Sequence, residues 1–188
     1  MILVSQSPRR KEILEMAGYT FSIYHPNIDE ENYNNQLEIR QIPVYLAVQK
    51  AKAAQLVFPD EVLVAADTIV VLNNEIIGKP SNASEAFDML SRLSGNTHTV
   101  ITGVCILKDH NSIEFNDFSK VTFKQLTEKE INYYIQKHSP YDKAGSYGCQ
   151  DFIGLIGIES IEGSFYNVMG LPVHKVYSAL ARVGVMVR

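Results

Sequence analysis

Hydrophobic and polar positions alternate along this chain in blocks that predict strands and helices in turn. The apolar run at 2–5 predicts a short strand, and Ser7 followed by Pro8 is typical of an N-cap and first helical position. A second helix is predicted over 43–56. The polar segment at 26–41, between these helices, predicts an irregular loop.

One apolar run, at 62–72, contains two polar residues, Asp67 and Thr68. Its apolar positions are continuous rather than alternating, so the run predicts a strand that is buried on both faces. Asn73 and Asn74 follow and predict a turn. A second strand is therefore expected directly after the turn.

The remaining half of the chain continues the same alternation. Two capping boxes mark helix starts, Asn82 with Glu85 and Thr127 with Glu130. The segments 98–107 and 112–124 predict a long hairpin, the glycine-rich stretch 145–170 predicts short strands, and Pro172 predicts the start of a last helix. The fold class is therefore mixed α/β.

Composition narrows the function classes. The 188 residues, 46% of them hydrophobic, predict one domain over 1–188 with a substantial core. A net charge of −4 argues against general affinity for nucleic acid or an anionic membrane. We expect no export signal or membrane span, and the unpatterned Cys105 and Cys149 suit the cytoplasm. A homodimer is left open.

Three cations, Arg9, Arg10 and Lys11, follow Ser7 at the start of the first predicted helix. Cations oppose the positive end of the helix dipole, so their presence indicates a bound anion. Backbone N–H groups, the Ser7 hydroxyl and the guanidinium groups would suit phosphate. The alternative is a solvated basic turn. The chain has neither GxGxxG nor a Walker A pattern.

Asp67 is the least expected residue of the apolar run. An unpaired buried carboxylate costs several kcal/mol, so Asp67 is either a hydrogen-bonded structural cap or faces a metal, a cation or a reacting water. Lys79 follows the second strand, where the returning chain would approach Asp67. Its alternative is an ordinary exposed lysine.

The glycine-rich stretch offers a third candidate site. Glycines at this density permit close approach of the backbone to a ligand, and they are equally typical of tight turns. Gln150 within the stretch could pair with a base edge or hold a loop backbone.

Four motifs, in order over nearly the whole chain, resemble the Maf family of nucleoside triphosphate pyrophosphatases: SPRRKEIL, AADTIVVLNNEIIGKP, GNTHTVITGV and DKAGSYGCQDF with IEGSFYNVMGLP. The resemblance implies hydrolysis between the α and β phosphates, with Mg²⁺ or Mn²⁺ as cofactor. It also implies a fold similar to ITP pyrophosphatases, a mixed sheet in two lobes with a central active cleft.

The resemblance also implies roles for particular residues. Ser7, Arg9 and Arg10 match the phosphate-binding helix start, Asp67 matches the catalytic base, and Lys79 matches a catalytic lysine. Lys50 matches a phosphate contact, whereas Lys52 cannot share its helix face. Asp67 and Glu30 match acidic positions that hold metal, although Asp67 as base or ligand stays open. Asp142 and Lys143 belong to the last motif as site or scaffold.

Substrate choice is implied by three positions, Arg9, Thr68 and Gln150, which resemble the dTTP/UTP-hydrolysing branch. The 7-methyl-GTP branch typically carries Trp at the first of them, and this chain has no Trp. The alternatives are a pyrophosphatase for 7-methyl-GTP or a modified nucleotide, and a nucleotide-binding regulator of cell division.

Overall fold

The structure is a computed structural model that describes residues 1–28 and 37–187. The strands are β1 (Ile2–Val4), β2 (Ser22–Tyr24), β3 (Leu63–Leu72), β4 (Glu75–Ile77), β5 (Thr97–Lys108), β6 (Asn111–Phe123) and β7 (Ile158–Glu162). The helices are α1 (Pro8–Met16), α2 (Ile42–Gln55), α3 (Ala83–Leu93), α4 (Glu128–His138), α5 (Phe152–Gly157), α6 (Phe165–Met169) and α7 (Val173–Arg182). Short 3₁₀ turns cover Ile39–Gln41 and Ala144–Ser146.

The strands form a mixed sheet. Its order is β2-β1-β3-β5-β6-β7, and β4 pairs with β3. Strand β1 is parallel to both β2 and β3, whereas β4 is antiparallel to β3 and β7 is antiparallel to β6. The predicted mixed α/β class is confirmed.

Local sequence signals account for most of these elements. The predicted strand across Asp67 and Thr68 is one uninterrupted strand, β3. Asn73 and Asn74 have φ of 51° and 64°, the left-handed conformation that a tight hairpin turn requires. Asn82 accepts a hydrogen bond from the Glu85 N–H at 3.0 Å and so caps α3. These predictions are confirmed.

The prediction of short strands throughout 145–170 is wrong in part. Only β7 is a strand there, and it lies between helices α5 and α6. A Cβ at Gly154 would overlap the backbone of Cys149, so this glycine permits close packing of α5 rather than a turn. The short strand β2 and the 3₁₀ turn at Ile39–Gln41 had no sequence signal of their own.

The chain divides into two compact units. The first comprises Met1–Thr68, Thr102–Asp117 and Gly170–Arg188. Its core packs three alanines of α2 against β1 and β3: Ala47, Ala51 and Ala54 meet Ile2, Val4, Leu63 and Ala65. A Cβ at Gly103 would overlap the backbone of Pro43 and Val44, so glycine allows the start of α2 to approach β5.

The second unit comprises Ile69–Ile101 and Phe118–Met169. Its interior contains an aromatic cluster in which the rings of His98, Phe123 and Tyr147 lie 5.1–5.6 Å apart. One domain over 1–188 stays a prediction. No helix within the described ranges is long and apolar enough to cross a membrane.

Candidate active site

Asp67 lies in the middle of β3 and faces α2. Alternate residues of a strand point to the same side, so Asp67 shares a face with Leu63 and Ala65, which pack against α2. Lys50 lies on the corresponding face of α2, one turn after Ala47. Its ammonium Nζ donates to Asp67 Oδ1 at 2.7 Å, and the two side chains are only 6% and 12% exposed.

Arg10 contacts the same part of β3 from α1. It is 8% exposed, and its guanidinium donates hydrogen bonds to protein oxygens. The acceptors are Ala66 O at 2.8 Å, Thr68 Oγ1 at 3.0 Å, Ser5 Oγ at 3.2 Å and Gly170 O at 2.8 Å. The family resemblance implies that this group binds phosphate, and in the structure it donates to these protein oxygens. A phosphate contact by Arg10 stays a prediction.

The segment 66–68 is therefore held by donors from two helices. Arg10 binds the residues on either side of Asp67, and Lys50 binds Asp67 itself. Thr68 Oγ1 also lies 2.9 Å from Thr102 Oγ1, whose side chain is fully buried. The Lys50 ammonium thus offsets the cost of burying the Asp67 carboxylate, which explains how a charge is tolerated inside an apolar strand.

This arrangement is chemically competent. A fixed carboxylate in a water-poor site can orient or deprotonate a water, or it can bind a divalent cation. Among the residues that the structure describes, no group of three or more His, Cys, Asp or Glu side chains is arranged to hold a metal ion. Glu30, the second predicted metal ligand, lies outside the described residues.

The helix start separates its three cations. Arg10 is buried, Arg9 is half-buried, and exposed Lys11 lies 3.6 Å from Glu15 one turn later. Ser7 is half-buried and precedes Pro8, as predicted, but its side chain caps none of the described N–H groups of α1. Its backbone N–H donates to Ser5 Oγ at 3.1 Å. Phosphate contacts by Ser7 and Arg9 stay predictions.

Lys50 and Lys52 behave as helix geometry requires. Lys50 is buried against β3, whereas Lys52 is exposed. The structure confirms that the two lysines lie on different faces of α2.

The other predicted site residues belong to the second unit. Lys79 is exposed, two residues after β4, and Gln150 is half-buried with its Oε1 accepting from Cys149 Sγ at 3.6 Å. Asp142 and Lys143 form an ion pair of 2.8 Å. Substrate contacts by Lys79 and Gln150 stay predictions.

Hydrogen bonds set the backbone around Gln150. Tyr134 Oη donates to Asp151 Oδ2 at 2.9 Å and accepts from the Gly148 N–H at 3.1 Å. Burial, reinforced by the nearby Asp151 carboxylate, raises the pKa of Tyr134 above its usual range. The Tyr134 phenol therefore stays protonated. It donates to the residue after Gln150 and accepts from a residue that precedes Gln150 by two positions.

Sequence reasoning missed three residues that complete the contacts around Asp67: Ser5, Thr102 and Gly170. Thr102 carried a usable signal, because it is a polar residue inside an apolar strand, as Asp67 is. Gly170 carried none, since its carbonyl oxygen accepts from a side chain 160 positions away. Ser5 lies only five positions from Arg10, but no motif in the sequence marked it as an acceptor.

Comparisons with known proteins agree on one family. The family model described as Maf-like protein matches residues 1–183. A dTTP/UTP pyrophosphatase from Cytophaga hutchinsonii is 50% identical over 97% of this chain and 84% of its own length. A dTTP/UTP pyrophosphatase from Phocaeicola vulgatus is 46% identical over 97% of this chain and 95% of its own.

A solved structure supports the fold independently. A HAM1 protein from Coxiella burnetii superposes with a TM-score of 0.55 at 13% identity, over 96% of this chain and 98% of that one. At this identity the likeness concerns the fold alone, and it agrees with the mixed sheet described above.

Proposed function

This chain belongs to the Maf-like protein family, and on that premise we propose that it is a nucleoside triphosphate pyrophosphatase. Its substrates are dTTP and UTP, which it hydrolyses to the monophosphate and pyrophosphate. Relatives that are 43–50% identical and carry the name dTTP/UTP pyrophosphatase support this substrate pair.

The observation that carries the proposal is the buried pair of Lys50 and Asp67 within β3 and α2. A protein that only needed a stable core would gain as much or more from apolar residues at these two positions, because burying both charges is costly. A carboxylate held in a fixed direction can instead orient and deprotonate the water that attacks a phosphoanhydride. We therefore assign Asp67 to the reaction.

In the proposed reaction, Asp67 orients the attacking water and takes up its proton. The water oxygen forms a bond to phosphorus as the bond to the bridging oxygen breaks, and pyrophosphate leaves with that oxygen. Lys50 binds Asp67 Oδ1, so we assign the reaction to Oδ2. Catalysis of this class rests mainly on positioning and electrostatic stabilisation, to which Ser7 and Arg9 contribute by binding phosphate oxygens.

A divalent cation, Mg²⁺ or Mn²⁺, is part of the proposal. Magnesium is usually bound by one or two carboxylates together with substrate phosphates, and a single buried Asp67 fits that mode. Glu30 would hold it, and Asp67 would hold it as the alternative to its role as the base. When bound, the cation supplies neutralisation of charge on the departing pyrophosphate.

We place this activity in the cytoplasm. Cys105 is a free thiol, and both Cys105 and Cys149 are buried, which suits a reducing compartment. Burial raises the pKa of the Cys105 thiol to about 12 and so keeps it in its unreactive protonated form. The ligand is a small-molecule nucleoside triphosphate, we expect no nucleic-acid partner, and a homodimer stays open.

A nucleotide panel tests the substrate assignment. Phosphate release from dTTP, UTP, 7-methyl-GTP and the other three common ribonucleoside triphosphates is followed with Mg²⁺, with and without added inorganic pyrophosphatase. We expect release from dTTP and UTP to depend on the added enzyme, because the direct product is pyrophosphate. Phosphate release without it contradicts the cleavage position, and faster turnover of 7-methyl-GTP contradicts the pyrimidine preference.

A further inference from the structure

Arg10 has an unusual environment for a residue at the exposed start of a helix. It is 8% exposed, although Arg9 and Lys11 on either side are half-buried and exposed. Its Nε donates to Gly170 O, and its two terminal nitrogens reach Ser5, Ala66 and Thr68. The guanidinium therefore connects three separate parts of the first unit: the end of β1, the middle of β3 and the residues before α7.

These contacts bracket Asp67. The Ala66 carbonyl accepts at 2.8 Å and Thr68 Oγ1 at 3.0 Å, so Arg10 binds the residue before Asp67 and the residue after it. The planar Arg10 guanidinium, with its donors at fixed angles, thus fixes the Ala66 backbone on one side of the carboxylate and the Thr68 side chain on the other. Lys50 then fixes the direction of the carboxylate from α2.

We propose that Arg10 is a positioning residue, which holds the 66–68 segment so that Asp67 points correctly, and that it does not bind the triphosphate. This inference rests on the proposed function. It leaves phosphate binding at the helix start to Ser7 and Arg9, the two half-buried groups at the same place.

Three adjacent variants separate positioning from binding. Arg10→Lys keeps the charge but cannot reproduce the forked hydrogen bonds of the guanidinium, Arg9→Lys is the matched change at the proposed phosphate contact, and Lys11→Ala is the control on the exposed neighbour. For each variant, kcat and KM for dTTP and the inhibition constant for pyrophosphate are measured, with far-UV circular dichroism to verify folding.

For Arg10→Lys we expect kcat to fall by roughly a hundredfold, because small displacements of a reacting group are that costly, while KM and the pyrophosphate constant change by less than about twofold. Arg9→Lys should instead raise KM and weaken pyrophosphate binding, and Lys11→Ala should change neither. A rise in KM and the pyrophosphate constant for Arg10→Lys, with kcat unchanged, would overturn the proposal.

If Arg10→Lys does not fold, a second variant tests the same proposal. Ser5→Ala removes one acceptor of Arg10 and leaves its charge in place. We expect a several-fold lower kcat at unchanged KM, and an unchanged kcat would contradict positioning. Wild-type protein is measured first. If it hydrolyses no nucleoside triphosphate, both the proposed function and this inference are wrong. If it is active, the proposed function stands and the variants test the role of Arg10 alone.

Discussion

The two units of this molecule bury polar groups in opposite ways. In the first unit, the Lys50 ammonium and the Asp67 carboxylate lie 2.7 Å apart, and a buried guanidinium binds the same strand segment. In the second unit, His98 Nε2 and Tyr147 Oη form a buried hydrogen bond of 2.7 Å. Burial lowers the pKa of His98 to about 4 and raises that of Tyr147 well above its usual range, so this pair is neutral.

The difference indicates which pair does chemistry. A neutral hydrogen-bonded pair costs little to bury and joins the packing of an aromatic cluster, which suits a scaffold. An ion pair is expensive to bury, and well-packed apolar residues would often be as stable in its place. We therefore interpret the charged pair as functional and the neutral pair as structural.

The largest expected effect on stability is that of Lys50→Met. It leaves the Asp67 carboxylate buried without this ammonium, and breaking a buried pair costs about 3–5 kcal/mol of unfolding free energy. Urea unfolding monitored by circular dichroism measures the loss. Lys52→Met, two residues along the same helix but exposed, is the matched control and should change stability little. Equal losses for both variants would break the comparison.

A similar but smaller effect is expected from acid in the second unit. His98 is 1% exposed and its pKa is about 4, against about 6.5 when unfolded. The depressed pKa contributes stability that is complete above pH 6.5 and is lost as pH falls towards 4. The shift corresponds to about 3 kcal/mol.

The His98 contribution can be isolated from that of the carboxylates. Unfolding free energies of wild type and His98→Gln are measured at several pH values from about 7.5 to about 4, a range over which the His98 contribution is expected to be lost. We expect the wild type to lose more stability than the variant over this interval. Parallel curves would show that the pKa of His98 is the same in the folded and unfolded protein, which would contradict the lowered pKa on which the neutral pair rests.

The smallest expected effect is that of a helix cap at the surface. Thr127 caps α4 in a reciprocal capping box with Glu130, so Thr127→Ala should cost about 1 kcal/mol. Nucleotide turnover should be unchanged, since the cap belongs to the scaffold. Urea unfolding together with a dTTP assay measures both, and a loss of turnover with unchanged stability would contradict a structural role.

Features that depend on residues close together in the chain were predictable from the sequence, whereas contacts between residues far apart in the chain were not. The helix starts at Asn82 and Thr127, the turn at Asn73 and the continuity of β3 were predictable, because each depends on residues close in the chain. Asp67 stood out because one carboxylate interrupted an apolar strand. The mixed α/β fold class and the choice of Asp67 as a candidate site residue were therefore predictable from the sequence.

The side-chain contacts around Asp67 were not predictable from local sequence signals. Lys50 was assigned to phosphate, and nothing in the sequence indicated that it lies 2.7 Å from Asp67, because α2 and β3 meet through tertiary packing. Arg10 likewise finds Gly170, 160 positions away. The substitution Asp67→Asn would therefore remove the anion that pairs with the buried Lys50 ammonium.

The most direct test of the account is therefore the turnover of Asp67→Asn, measured on protein that circular dichroism shows to be folded. We expect a lower melting temperature, dTTP binding by calorimetry, and a kcat reduced by roughly a thousandfold or more, because the group that activates water is gone. Tyr147→Phe, which disrupts the neutral pair, should lower the melting temperature and keep kcat within a few-fold of wild type. A folded Asp67→Asn protein that retains wild-type kcat would contradict the account, since Asp67 would then be structural.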